Sequence, residues 1–157
     1  MKAVFFIRHH NDYDSLAAVA DGWARAAPDN QSIIYISTPA LKWKNDPRTT
    51  ILSRTPRVRF VDLWQVAGIG QDKVLERSWQ RNLPDDRLTR RALEFATEMR
   101  VAPGYDRKLR RWLDKEAPGI IAFDWWNVPA KRKSFDHFGY QAAIAWTREK
   151  SVPLVSL

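Results

Sequence analysis

The chain contains no cysteine. That excludes disulfides, thiolate catalysis and cysteine-ligated metals. Histidine is scarce as well: three in 157 residues, with only His9 and His10 adjacent. A histidine-rich zinc site is hard to assemble from so few ligands, and no metal site is expected. Long hydrophobic runs are missing. The apolar stretch at residues 3–7 is far too short for a signal-peptide core or a membrane-spanning helix. Neither a Gly-x-Gly-x-x-Gly fingerprint nor a Walker motif occurs, which disfavours a dinucleotide held through its pyrophosphate on the first turn. There is no internal repeat, low-complexity tract or evident linker. Helix-turn-helix, RNA-recognition and zinc-finger patterns are also missing.

What is present describes one globular domain. Hydrophobic residues make up 45% of the chain and charged residues 28%, enough for a sizeable core under a polar surface. The formal net charge is +8. Such a balance suits anionic partners such as nucleic acid, phosphorylated compounds or acidic membrane surfaces; it also describes a well-solvated basic surface. Eight tryptophans are many for this length, and the flat indole serves both cores and sugar- or base-binding surfaces.

Short apolar runs alternate with helical periodicity. Lys2–Ile7 reads as a strand buried on both faces. Asp14 or Ser15 is the expected cap of a following helix, with Leu16, Val19, Trp23 and Ala27 on its apolar side. Residues 32–37 read as a second strand. Residues 40–55 are ambiguous, with room for a short helix, and residues 58–63 alternate as a third strand. Helices are predicted over residues 71–80, 86–100 and 105–116. The second of these has Leu88, Ala92, Phe95, Ala96 and Met99 as its inward face. The third opposes Tyr105, Leu109, Trp112 and Leu113 to a basic side of Arg107, Lys108, Arg110 and Arg111. Residues 119–124 read as a fourth strand. A helix capped by Ser134 or Asp136 then runs to Lys150, and residues 152–157 form a fifth strand. This order requires a parallel, doubly wound α/β sheet, Rossmann-like, with strand order 3-2-1-4-5. Its switch point lies between strands one and four. The crevice there would be lined by residues 8–12 and 124–127.

The first of these corners is Arg8-His9-His10-Asn11-Asp12. An arginine beside histidines at a strand end can hold a phosphate, with a histidine as acid, base or nucleophile. The same residues can equally satisfy backbone groups in the turn. Asp12 either opposes the helix dipole, orients His10 or binds a sugar hydroxyl. The second corner is Asp124-Trp125-Trp126-Asn127, followed by Lys131-Arg132-Lys133. Paired aromatics beside a carboxylate and an amide suit carbohydrate, or else cover the sheet edge. Asp12 and Asp124 could also serve as a carboxylate pair for glycoside hydrolysis, at a separation the sequence leaves open.

Two resemblances follow from these residues. Arg8-His9-His10 is similar to the strand-end Arg-His-Gly of histidine phosphatases, but His10 replaces the glycine, and His137 is the one candidate for the second histidine. The segment Phe5-Phe-Ile-Arg-His-His-Asn-Asp-Tyr-Asp14 resembles the opening of amino-terminal domains in GT-B-type bacterial surface-carbohydrate transferases, glycosyltransferase-like and CDP-glycerol glycerophosphotransferase-like. The ending Lys150-Ser-Val-Pro-Leu-Val-Ser-Leu157 resembles the strand that precedes a Pro-His-Gly-type loop in those proteins. That resemblance implies an acceptor-side domain for surface polysaccharide synthesis. Its partner would be an anionic or carbohydrate acceptor, lipid-linked in some cases, and no cofactor of its own is expected. The nucleotide-activated donor would bind a second domain that these residues lack. The chain is then expected to be one half of a larger design, inactive alone. By the resemblance, Arg8, His10, Asn11 and Asp12 line the cleft with Asp124 and Asn127 opposite, and His10 is the acid/base candidate. Together with the residue reading above, His10 and Asp12 are the catalytic candidates. Arg8, His9, Asn11, Asp124, Trp125, Asn127 and Lys131 are the substrate-binding ones. A cytoplasmic setting is expected, with peripheral contact at the inner membrane face. The alternatives are a non-catalytic basic module binding nucleic acid or an anionic polymer, and a histidine-phosphatase-like phosphomonoesterase.

Overall fold

In a computed structural model of the chain, residues 1–8, 10–37, 43–68, 87–124 and 139–156 are described, with the side chains of residues 10, 11, 87, 90, 94 and 98 outside that description. Strands β1 (Lys2–Ile7), β2 (Gln31–Ile36), β3 (Val58–Asp62), β4 (Ile120–Phe123) and β5 (Leu154–Ser156) form one sheet in the order β3-β2-β1-β4-β5. Every pairing is parallel. The expected architecture and strand order are therefore observed. Helices α1 (His10–Ala26), α2 (Pro47–Leu52), α3 (Leu63–Ala67), α4 (Arg87–Val101), α5 (Tyr105–Glu116) and α6 (Tyr140–Lys150) complete the described elements, with a 3₁₀ turn at Trp43–Asn45.

The inner strands are continuously apolar because both faces are covered. Alternate residues go to opposite layers. Ala3, Phe5 and Ile7 of β1 join Ile34, Ile36 and Ala122 under Tyr13, Leu16, Ala17 and Ala20 of α1. Val4 and Phe6 join Ile33, Tyr35, Val61, Ile121 and Phe123 on the other side, packed by residues of α3, α5 and α6. Phe6 lies against the rings of Tyr35, Phe123 and Tyr140, at 4.7, 4.7 and 5.4 Å between centroids.

Four expectations change. First, α1 starts at His10, several residues before the expected cap at Asp14 or Ser15. Asp12 lies inside the first turn, where a carboxylate is favoured by the unsatisfied N–H groups and the dipole. Its buried stripe is Tyr13, Leu16, Ala17, Ala20 and Ala24, and Val19 is exposed. Second, the third strand ends at Asp62. That side chain accepts from Gln65 N while Gln65 returns a bond to Asp62 N, each at 3.0 Å, so Leu63 opens α3. The pattern Asp62-x-x-Gln65 is the capping-box variant that signals this start. Third, the ambiguous stretch contains α2, begun by Pro47 with Asp46 accepting from Arg48 N at 2.9 Å.

The fourth change is the largest. The expected inward face of α4 points outward: Leu88 is 75% exposed, Phe95 64% and Met99 61%, and Ala92 is exposed too. The side toward the protein carries Thr97 and Val101, both fully buried. The helix predicted over residues 71–80 and the start of the helix predicted from Ser134 or Asp136 lie outside the described residues. No helix among the described residues is long and apolar enough to cross a membrane.

Candidate functional site

The switch point lies between β1 and β4: α1, which follows β1, covers one face of the sheet, and α6, which follows β4, covers the other; β2 flanks β1 on its far side. In the parallel register Ile7 stands beside Ile36, and Phe6 beside both Tyr35 and Phe123. The residues that leave these strands are Arg8, Ser37 and Asp124. The two corners expected from the sequence are therefore neighbours on one edge, and β2 adds a third residue.

Arg8 is pinned there. Its backbone N–H donates to Asp12 Oδ2 at 2.9 Å, and its Nε donates to the same oxygen at 3.1 Å. The two residues are only 2% and 4% exposed. One carboxylate thus joins the last turn of the strand to the first turn of the helix, and fixes how tightly the chain reverses. A buried pair of this kind survives because each charge is hydrogen-bonded; losing one partner would strand the other. The guanidinium carbon of Arg8 also lies 5.3 Å from the centroid of the Tyr140 ring, a cation–π arrangement.

Tyr140 and Ser37 were not among the expected site residues. Ser37 N–H and Oγ both donate to Ile7 O, at 2.9 and 3.2 Å, which ties the end of β2 to the end of β1. Tyr140 begins α6 and is buried. Burial pushes its hydroxyl pKa well above the ordinary range. Arg8 and a hydrogen bond with Ser37 oppose that rise, while Asp12 and Asp124 add to it. The tyrosine therefore gathers all three strand ends around a neutral hydroxyl. Gly139, which precedes it, has φ 77°. That conformation favours glycine, and a Cβ there would have to displace the Leu109 side chain. Ser37 could have been found from the sequence once β2 was placed beside β1. Tyr140 could not, because its place depends on how α6 packs.

The remaining expected residues divide by location. His10 and Asn11 form the first turn of α1, just beyond the carboxyl end of β1, with side chains outside the description. Asp124 follows β4 and is partly buried. His9, Trp125, Asn127, Lys131 and His137 lie outside the described residues. Arg8 and Asp12, expected as substrate-binding and catalytic residues, lie at this corner, buried against one another. Among the described residues no group of three or more His, Asp or Glu side chains could hold a metal ion.

Half of the basic side of α5 makes contacts within the protein. Lys108 Nζ donates to Ala67 O at 2.5 Å, tying α5 to the end of α3. Arg110 makes a forked pair with Glu149 of α6, with Nη1 to Oε2 at 2.9 Å and Nη2 to Oε1 at 3.0 Å. Arg107 and Arg111 are exposed.

No protein-family model matches the chain, and no curated protein does. Among solved structures it is similar to a UGT transferase from Siraitia grosvenorii, determined in complex with UDP, at 15% identity and a TM-score of 0.47. The similarity covers 99% of this chain and 27% of that protein, so the chain spans about a quarter of its length. The fold and the site together define a Rossmann-like α/β domain with a polar, tyrosine-backed corner at its switch point.

Proposed function

We propose that the chain is the acceptor-side domain of a GT-B-type glycosyl- or glycerophosphotransferase-like protein in surface polysaccharide synthesis. The observation that carries this reading is the pinned turn of Arg8 and Asp12 beside Asp124 at the switch point. It falls within the segment whose sequence resembles the opening of those domains. Open α/β sheets bind ligands at this edge.

In this reading an acceptor hydroxyl sits over the carboxyl ends of β1 and β4. His10 takes its proton as the hydroxyl attacks either the anomeric carbon of a nucleotide-activated sugar or the polyol-bearing phosphorus of an activated polyol phosphate, held by a second domain. The bond to the nucleotide breaks, and the nucleoside diphosphate or monophosphate leaves with the electron pair. A histidine has the ordinary pKa for that task. Asp124, Asn11 and Asn127 read acceptor hydroxyls, Trp125 stacks on the acceptor, and His9 and Lys131 meet its anionic groups. Asp12 and Arg8 are positioning residues: with so little exposure they act through the turn they fix, not by contact. The isolated chain binds acceptor and does not turn over donor.

The phosphomonoesterase reading is weaker on this geometry. It needs Arg8 to present its guanidinium to a phosphate, and that group is buried beside Asp12 and Tyr140. The basic-module reading loses Lys108 and Arg110 to contacts within the protein.

A direct test is amide mapping on the ¹⁵N-labelled chain with a glycerol phosphate oligomer as acceptor mimic, and separately with CDP-glycerol and a UDP-sugar. The expected result is perturbation at Arg8, His10, Asp12 and Asp124 by the oligomer, with little response to either donor. Donor binding at those amides without oligomer binding would overturn the proposal. So would oligomer binding spread along α5 and lost at moderate salt, which is the signature of a basic module.

A further inference from the structure

A cleft of about 280 Å³ opens away from the switch point, between β3, α3 and α5. Strand β2 separates β3 from β1, so the cleft and the switch-point corner are different places. Arg59 and Val61 of β3 reach it because strand residues two apart share a face of the sheet. Trp112, Lys115 and Glu116 of α5 reach it because positions three and four apart share a side of a helix. Gln65 of α3 completes the lining.

The lining has an apolar part and a charged end. Val61 belongs to the core, and Trp112 is half-buried, its ring packed on Tyr35 with centroids 5.5 Å apart. At the charged end, Glu116 Oε2 lies 2.8 Å from Arg59 Nη2 and 3.4 Å from Lys2 Nζ. Lys115 is exposed and has no ion-pair partner among the described residues. Gln65 Oε1 accepts from Asp62 N, which leaves the amide Nε2 as a donor.

We infer that this cleft binds a small aromatic monoanion, one or two fused rings bearing a carboxylate. The ring rests on Trp112 and Val61, the carboxylate meets Lys115 and the exposed edge of Arg59, and Gln65 donates to a polar ring substituent. Three properties select this class. A volume of about 280 Å³ is small for a ligand site and limits the occupant to a ring-sized molecule. A half-buried indole, held from behind by Tyr35, offers a flat surface for stacking. Within the lining, Arg59 and Lys115 face one carboxylate, Glu116, a surplus of one positive charge. That surplus matches one negative charge, and Glu116 repels the second charge of a phosphate ester. The inference stands whether or not the switch-point corner binds an acceptor.

Heteronuclear NMR of the full chain tests it, read at the Trp112 indole N–H and the Gln65 side-chain amide. The probes are indole-3-acetate, acetate, inorganic phosphate and tryptamine, the last having the ring with the opposite charge. Indole-3-acetate should shift both signals saturably and leave the amides of Arg8 and Asp124 in place. The other three probes should bind at least about fivefold more weakly, each lacking the ring or the single negative charge. Lys115→Gln should weaken indole-3-acetate binding by about fivefold, as for a lost exposed ion pair, with an unchanged unfolding midpoint. Trp112→Leu, read at Gln65, should weaken it further; if that variant unfolds, Lys115→Gln decides. The proposal is overturned by no saturable shift with indole-3-acetate, or by equal binding of acetate, phosphate or tryptamine. Undiminished binding by Lys115→Gln, or shifts at Arg8 and Asp124 in place of Trp112 and Gln65, would overturn it too.

Discussion

Helices α1 and α4 carry apolar residues at the same spacing and meet opposite surroundings. In α1 the line is Tyr13, Ala17, Ala20 and Ala24, all buried against the sheet. In α4 it is Leu88, Ala92, Phe95 and Met99, all exposed. The spacing alone is the same signal in both. The side-chain sizes are not. Three alanines let α1 approach the strands closely, while Tyr13 fills the end near β1, its hydroxyl bonded to Thr49 of α2. The α4 line has three large side chains, Leu88, Phe95 and Met99, and one alanine. Periodicity shows that a helix has an apolar face; residue size says more about what that face meets.

The comparison breaks most readily at the start of α1. Asp12→Ala should cost about 3–5 kcal/mol, because it leaves Arg8 buried without its carboxylate and unfastens the helix from β1. Denaturant unfolding measures it. A loss below about 1 kcal/mol, the range of an exposed pair, would mean that the ion pair does not organise this corner. Leu16→Ala should cost about 2–5 kcal/mol, since the side chain is fully buried. Phe95→Gln, made on the other helix, should stay within about 0.5 kcal/mol of wild type. Similar losses for Leu16→Ala and Phe95→Gln would place the α4 stripe in a core.

Much of the fold was legible in the sequence, and the reasons are local. The five short apolar runs and the helical stretches between them allow few topologies for a parallel sheet, and the order 3-2-1-4-5 is among them. Tyr105–Glu116 was readable because its apolar and basic sides are cleanly divided. The start of α1 was misread because Asp12 resembles part of a polar turn until its bond back to Arg8 is known. Leu63 was read as strand because a five-residue helix has too little periodicity to show; its capping box was the available clue. The α4 face was misassigned because pattern does not state what solvent a stripe meets. At the switch-point corner, the positions of Arg8 and Asp124 were legible from the strand ends, and Asp12 from the turn after the first strand. Tyr140 was not, since it reaches the corner only through tertiary packing.

Smaller effects sharpen the picture of the buried polar groups through pH. Burial pushes the Tyr13 pKa up to about 12, against some lowering by the bond to Thr49. Burial also raises Tyr105 and Tyr140. A group whose folded pKa is raised contributes stability that is fully present below its unfolded value, here 10.0, and lost as pH rises toward the folded one. Stability should therefore decline across roughly pH 10 to 12, with Tyr105 and Tyr140 ionising only as the fold opens. Tyrosinate absorbance followed alongside circular dichroism checks this. Ionisation of all three near their ordinary value, with helix content intact, would contradict their burial. At the acid end, burial pushes the Glu116 carboxyl up, but Arg59 and Lys2 outweigh it and hold it below its ordinary value of 4.5. Its contribution is present above that value and fades as pH falls below it. Glu116→Gln should flatten that limb modestly.

The central claim, that the switch-point corner receives an acceptor, is tested most directly by calorimetric titration of a glycerol phosphate oligomer. The proteins are wild type, His10→Ala, Asp124→Asn and the double variant Arg107→Gln/Arg111→Gln. Binding should fall by about tenfold or more at each corner position, as expected for losing one good polar contact, and change little in the α5 double variant. Full binding by His10→Ala and Asp124→Asn, with loss in the α5 variant, would contradict it.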